Sequence, residues 1–177
     1  GVISDPSQQV GRLGFLSVEE RMQVENTFNT SDAEYPRDKT VIDLFEAQAD
    51  RSPDEIAVEY RGKTLTYGEL SSRSNQVGHY LRSRGVSRGS MVGLLAERSL
   101  EMVIGMLGIM KAGGVYVPVN PEYPMERIEF IVEDTGLRII LSSGRAMEKL
   151  SLKGECEVIG LDNFAGMNEM PVEALDQ

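Results

Sequence analysis

The chain has no tryptophan, one cysteine (Cys156) and one histidine (His79) in 177 residues. A lone cysteine cannot close an internal disulfide and cannot build a Cys-based zinc site without partner ligands. A lone imidazole leaves Cys/His and Ser/His/Asp catalysis resting on one ring. Basic residues are in the minority, 18 against 28 acidic, for a net charge of −10. A sequence-independent grip on nucleic acid needs clustered Lys and Arg and is therefore excluded as the main job. Long apolar runs are missing as well. The most hydrophobic stretch, Met102 to Met110, is flanked by Glu101 and Lys111 and falls well short of the roughly 18 residues a membrane span requires. The N-terminus shows no basic-then-apolar signal peptide. These absences indicate a soluble chain with no nucleic-acid and no membrane partner, whose 41% apolar content can form a core.

The charge is unevenly spread. Residues 1–40 carry seven acids and four bases, 41–154 fifteen and fourteen, and 155–177 six and none. The near-neutral middle reads as the folded body. Beyond Asp162 periodicity fades, so 163–177 is expected to be an acidic tail, loose or cut short. Residues 1–39 read as a linker holding one helix, Ser17 to Phe28, with Ser17 as N-cap and Glu20 three residues on.

In the body, Thr40-Val41-Ile42-Asp43 and Thr66-Tyr67-Gly68-Glu69 repeat that start signal. They predict one helix to about Arg51 and a second, with Leu70, Val77 and Leu81 on its apolar stripe, ending at Gly85. Between them Ile56–Tyr60 and Lys63–Leu65 flank Arg61-Gly62 as a β-hairpin. From Ser90 the pattern is β-α-β-α-β-α-β: strand Met91–Ala96, helix from a Ser99 cap through Ala112, strand Val115–Val119, helix from Pro124 to Thr135, strand Arg138–Leu141, helix from Ser143 or Gly144 to Leu150, and strand Glu157–Leu161. The implied fold is α/β, a partial doubly wound parallel sheet with flanking helices, preceded by the hairpin, helices and linker. The helix Met102–Met110 is apolar nearly all round and should be buried, with Gly105 and Gly108 admitting a close neighbour.

Chemistry-bearing candidates each meet a plainer reading. Gly62-Lys63-Thr64 ends like a phosphate loop, but Ala57 stands where the earlier glycine is needed and the segment is a hairpin turn. Ser142-Ser143-Gly144-Arg145 lies between a strand and a helix, yet lacks the second glycine and terminal lysine and reads as a helix cap. His79 has no acid three or four residues away to orient it, and Cys156 opens a strand as a small apolar residue. Glu122, Glu126 and Glu129 read as a solvated helix face, and Met102, Met106 and Met110 as core filler.

Two motifs carry a resemblance. Leu65-Thr66-Tyr67-Gly68-Glu69-Leu70 and Met110-Lys111-Ala112-Gly113-Gly114-Val115-Tyr116-Val117-Pro118-Val119-Asn120-Pro121 resemble the first two core motifs of adenylation domains of nonribosomal peptide synthetases, members of the adenylate-forming superfamily. The stretches Thr40–Ala49 and Pro53–Val58 look like the entrance to such domains, and Phe15–Arg21 with Tyr35-Pro36 looks like the end of a condensation domain and its linker. The departures Met110, Val115, Val119 and Asn120 from the usual Leu, Ala, Leu and Asp fall in motifs that are chiefly structural. The resemblance implies that 1–39 is a condensation-to-adenylation linker and 40–162 the N-terminal part of a truncated adenylation domain. It implies that the complete domain uses ATP and Mg2+ to form an aminoacyl adenylate and loads the acyl group onto phosphopantetheine of a carrier domain, in the cytoplasm. The neighbouring condensation and carrier domains are the implied partners. The family's phosphate loop, nucleotide-binding residues, amino-acid pocket and catalytic lysine have no counterpart in these 177 residues. No catalytic, cofactor-binding or metal residue is therefore transferred, and the chain alone is expected to be inactive and prone to self-association through an unpaired sheet edge. The alternatives are a non-catalytic docking module and another adenylate-forming ligase such as an acyl-CoA synthetase.

Overall fold

The structure is a computed structural model and describes residue 9 and residues 16–30, 33–143, 156–162 and 166–176. The chain divides into two compact units, Gly1–Asp38 and Lys39–Gln177.

In the first unit, α1 spans Val18–Glu25. Ser17 Oγ accepts from the Glu20 N–H while Glu20 accepts from the Ser17 N–H, so the expected cap forms. The helix stops short of Phe28, because Asn29 Nδ2 donates to the Val24 and Glu25 carbonyls and a short 3₁₀ turn, Thr27–Asn29, follows. No residue of α1 is buried.

In the second unit, α2 (Val41–Arg51) and α3 (Tyr67–Ser83) start on the same reciprocal caps, Thr40 with Asp43 and Thr66 with Glu69. Between them β1 (Ile56–Tyr60) and β2 (Lys63–Thr66) pair antiparallel. Arg61 and Gly62 turn at φ +50° and +76°, the left-handed pair a two-residue hairpin requires. The α/β part follows as β3 (Met91–Leu95), α4 (Leu100–Lys111), β4 (Val115–Val119), α5 (Met125–Thr135), β5 (Ile139–Ser142) and β6 (Glu157–Gly160). The helix expected from 143 or 144 to 150 lies almost wholly outside the described residues.

The four strands form one parallel sheet in the order β4-β3-β5-β6. Alternate residues of the central strands feed opposite faces. Val92, Leu94, Ile139 and Leu141 pack with Val77 and Leu81 of α3 and Ile104 and Leu107 of α4. Leu95 and Ile140 pack instead with Ile128 of α5, Val119 and Leu137. Helices on both faces of a parallel sheet make the expected doubly wound arrangement. The two glycines of α4 act as the sequence predicts. A Cβ on Gly108 would come within 2.5 Å of Val77 Cγ1, and one on Gly105 within 2.8 Å of Leu161 Cδ1. Met102, Met106 and Met110 are half-buried against the core.

One expectation is overturned. The stretch from 163 onward is not loose over its described part, 166–176, which lies along α3. Met167 is fully buried, and Asn75, Gln76 and Arg82 donate to carbonyls of this strap. It lacks periodicity because it forms neither helix nor strand, and its carbonyls are satisfied by side chains of another element.

Candidate functional site

Doubly wound sheets bind ligands at the carboxyl ends of their strands, where the strand order reverses. Here that point lies between β3 and β5, the two strands whose crossovers depart in opposite directions. Leu95 and Ser142 are register partners there, and the Ser143 N–H donates to the Leu95 carbonyl at 3.2 Å. Ser142 and Ser143 are both buried, and the Ser142 hydroxyl is the one buried side-chain oxygen or nitrogen without a hydrogen-bond partner among the described residues. Gly144 and Arg145, which complete the four-residue segment singled out in the sequence, lie outside the described residues.

A second polar cluster, absent from the sequence expectations, sits in the core. Lys111, at the end of α4, has a side chain only 2% exposed. Its Nζ lies 2.5 Å from Glu46 Oε1 of α2, donates to Ser71 Oγ at 3.1 Å and to Asn75 Oδ1 at 2.7 Å of α3, and stands 5.0 Å from the Phe45 ring centre. Burial pushes the ammonium below the ordinary lysine pKa, and Glu46 pulls it back up through its hydrogen bond and its charge. A buried ion pair of this kind joins three helices, and removing one partner alone leaves an uncompensated charge. The partners lie far apart in sequence, so no spacing rule connects them. The nearest sequence signal is a lysine closing an otherwise apolar helix.

A groove of about 780 Å³ is walled by Val41, Ile42, Val86 and Met110 with Arg82 and Arg88 beside them. It also touches Gly113 and Gly114, which lead into the amino end of β4. It therefore opens at the end of the sheet opposite the switch point, away from where this architecture places chemistry.

The other sequence candidates stay apart. Gly62-Lys63-Thr64 forms the hairpin turn and the start of β2. His79 is half-buried, and its Nε2 donates to the Glu173 carbonyl at 3.1 Å. Cys156 is half-buried, its thiol pKa raised by burial, which suits a packing residue more than a nucleophile. Glu122 and Glu126 are exposed and Glu129 is half-buried, and among the described residues no three His, Cys, Asp or Glu side chains group to hold a metal ion.

Both motifs serve the scaffold. In the first, Thr66 and Glu69 exchange cap bonds, Leu65 and Leu70 are buried, and the Gly68 N–H donates to the Pro53 carbonyl at 2.9 Å. In the second, Lys111 holds the cluster, Gly113 turns at φ +88°, and the Val115 N–H reaches the Ser90 carbonyl to begin β4. The profile of the family described as "AMP-binding enzyme" matches residues 45–175, which takes in both motifs and the whole sheet. The chain belongs to the AMP-binding enzyme family. Among its relatives, gramicidin S synthase 2 of Aneurinibacillus migulanus is 39% identical over 163 residues, covering 92% of this chain and 4% of that one. Tyrocidine synthase 3 of Brevibacillus parabrevis is 46% identical over 140 residues, 79% of this chain and 2% of that one. A crystal structure of the nonribosomal peptide synthetase FmoA3 superposes with a TM-score of 0.75 at 33% identity, covering 81% of this chain and 15% of that one. The N-terminal subdomain of NpsA from Klebsiella oxytoca gives 0.66 at 27% identity, covering 78% and 35%. The chain thus spans a small part of the length of the curated relatives it matches, and the matched part is the N-terminal portion of an adenylation domain.

Proposed function

We propose that the chain is the leading portion of an amino-acid-activating adenylation domain in a nonribosomal peptide synthetase, with residues 1–39 as the linker from a preceding condensation domain and 40–162 as the domain's first part. The observation that carries this reading is the match to gramicidin S synthase 2, which runs through both motifs over 92% of the chain. In the complete domain a carboxylate oxygen of the amino acid attacks the α-phosphorus of ATP, and pyrophosphate leaves. The thiol of a carrier domain's phosphopantetheine then attacks the acyl carbon, and AMP leaves. The parent acts in the cytoplasm on this reading, and no helix among the described residues is long and apolar enough to cross a membrane.

What these residues contribute is a frame. The caps of α2 and α3 and the Lys111 cluster fix the helices that pack on the sheet, and the β3–β5 switch point lies at the sheet's carboxyl edge. Among the described residues no group of acidic side chains could cage Mg2+. On this reading the cations and backbone donors for the charge that builds on the α-phosphate come from other parts of the parent.

Amino-acid-dependent exchange of pyrophosphate into ATP tests both halves of the proposal. The 177-residue chain should stay at background with every amino acid, whereas the chain continued along its own reading frame through a phosphate loop and small C-terminal domain should exchange with at least one. Turnover by the 177 residues alone would overturn the assignment of the chemistry to other parts of the parent. Silence of the continued chain with all twenty amino acids would overturn the activity itself. We also expect the isolated chain to self-associate, which light scattering across a concentration series reads directly.

A further inference from the structure

Asn75, Gln76, His79 and Arg82 lie one, four and seven residues along α3 from the first of them and so share one face. Every one donates to a main-chain carbonyl of the strap. Asn75 Nδ2 reaches Val172 at 2.7 Å, Gln76 Nε2 reaches Asn168 and Met170, His79 reaches Glu173, and Arg82 reaches Asp176. Because the acceptors are all backbone, this hold is indifferent to the strap's own polar side chains. Apolar anchors come from Met167, fully buried, and from Leu175, whose Cδ2 would lie 3.1 Å from a Cβ on Gly78.

Asn75 differs from the other three donors. It is 3% exposed, and its second amide atom, Oδ1, accepts from the Lys111 ammonium at 2.7 Å. An ammonium can only donate and a peptide carbonyl can only accept, so these two partners fix which way the amide faces. Take away the cation and only the Val172 carbonyl is left to set the amide's nitrogen apart from its oxygen, while Oδ1 loses its donor. Lys111 is itself held by Glu46 and by the Ser71 hydroxyl. An unbroken series of contacts therefore runs from α2 through α4 and α3 to the strap.

We infer that Lys111 is a positioning residue for the strap: it orients the Asn75 amide so that Nδ2 clamps the chain at Val172, and through Glu46 it ties that clamp to α2. The inference stands on the fold alone and holds or fails independently of the proposed activity.

Two substitutions in the full 177-residue chain test it, read by hydrogen exchange of a peptide covering 166–176 against peptides from β3 and β5. Asn75→Asp keeps the side chain's shape and gives Lys111 a carboxylate partner, but sets an acceptor against the Val172 carbonyl. Strap exchange should accelerate about tenfold or more, the effect of leaving a buried acceptor unsatisfied, while β3 and β5 stay within about twofold. Lys111→Met keeps the apolar stem and frees the amide. The strap should again accelerate more than the sheet, and the slowly exchanging side-chain NH2 resonance of Asn75 should move toward that of an unconstrained amide. Strap exchange at the wild-type rate in Asn75→Asp would overturn the inference even if Lys111→Met failed to fold. Acceleration shared equally by strap and sheet in Lys111→Met would overturn it too, because Lys111 would then support the fold at large and not the clamp. An unmoved Asn75 side-chain resonance in that variant would have the same consequence.

Discussion

Ser17 and Glu20 close the same pair of hydrogen bonds at the start of α1 as Thr66 and Glu69 close at the start of α3. The two helices then diverge. None of the eight residues of α1 is buried, whereas α3 buries eight of its 17, among them Leu70, Val77 and Leu81. A capping box decides where a helix can begin and satisfies two otherwise orphaned donors, worth about 1 kcal/mol. It does not supply the stability of an isolated helix shorter than roughly 12–15 residues, which is marginal in water. In α3 that stability comes from the packed face, and substitutions can separate the two contributions.

The largest effect should come from the sheet against which α3 and α4 pack. Leu141 is fully buried, and Leu141→Ala should lower unfolding stability by about 2–5 kcal/mol in a urea titration followed by circular dichroism. A loss below about 1 kcal/mol would mean that the centre of the sheet is not the centre of the core. Next comes the contact between α3 and α4. With Val77 Cγ1 only 2.5 Å from where a Cβ on Gly108 would sit, Gly108→Ala should cost about 1–3 kcal/mol by overpacking. Adding Val77→Ala should recover part of that loss, because the two sites share one contact and are not additive. Simple addition of the two penalties would show that the helices have moved apart instead.

Thr66→Ala removes a cap but leaves the packed face, and should cost about 1 kcal/mol in the same titration. Such caps were legible in the sequence because they are local: a hydroxyl, two residues and an acid state the whole device. The hairpin was legible for the same reason, and so was the alternation of strands and helices. What could not be read joins residues far apart in the chain. The order β4-β3-β5-β6, the Glu46–Lys111 pair and the docking of 166–176 on α3 each depend on which surfaces meet. The strap shows this most clearly, since its carbonyls are held by α3 side chains and no pattern of its own residues encodes that. Lys111 sits inside a recognisable motif, yet the motif does not name its partners. The β-α-β alternation does imply a parallel sheet with a carboxyl edge where ligands bind, but where along that edge the switch point falls depends on the strand order.

The cap of α2 offers a way to sharpen the comparison with pH. Asp43 is held below its ordinary pKa chiefly by the Thr40 backbone N–H and then by the Thr40 hydroxyl. A carboxyl whose folded pKa is depressed contributes stability that is complete above its unfolded value, about 3.9, and is lost as pH falls through the lower folded value. Thermal melts below about pH 5 should therefore show wild type and Asp43→Asn converging as the acid is protonated, with wild type the more stable at neutral pH. A gap that stays constant down to the lowest pH would mean that the charge plays no part in the cap.

The smallest effect belongs to Ser17→Ala. The cap it removes has the same geometry as that of Thr66, so the local loss to α1 itself should be similar. The neighbouring support within α1 is slight: Arg21 and Glu25 form an exposed pair at 3.2 Å with the base N-terminal to the acid, the weaker order along a helix. With no buried face to transmit the loss, the change should lower the far-ultraviolet helix signal and leave the cooperative unfolding midpoint of the body where it was. A shift of that midpoint as large as the one from Thr66→Ala would show that α1 is stabilised by burial after all. If the midpoint holds, two identical caps will have given different effects, and the difference will lie in what each helix face packs against.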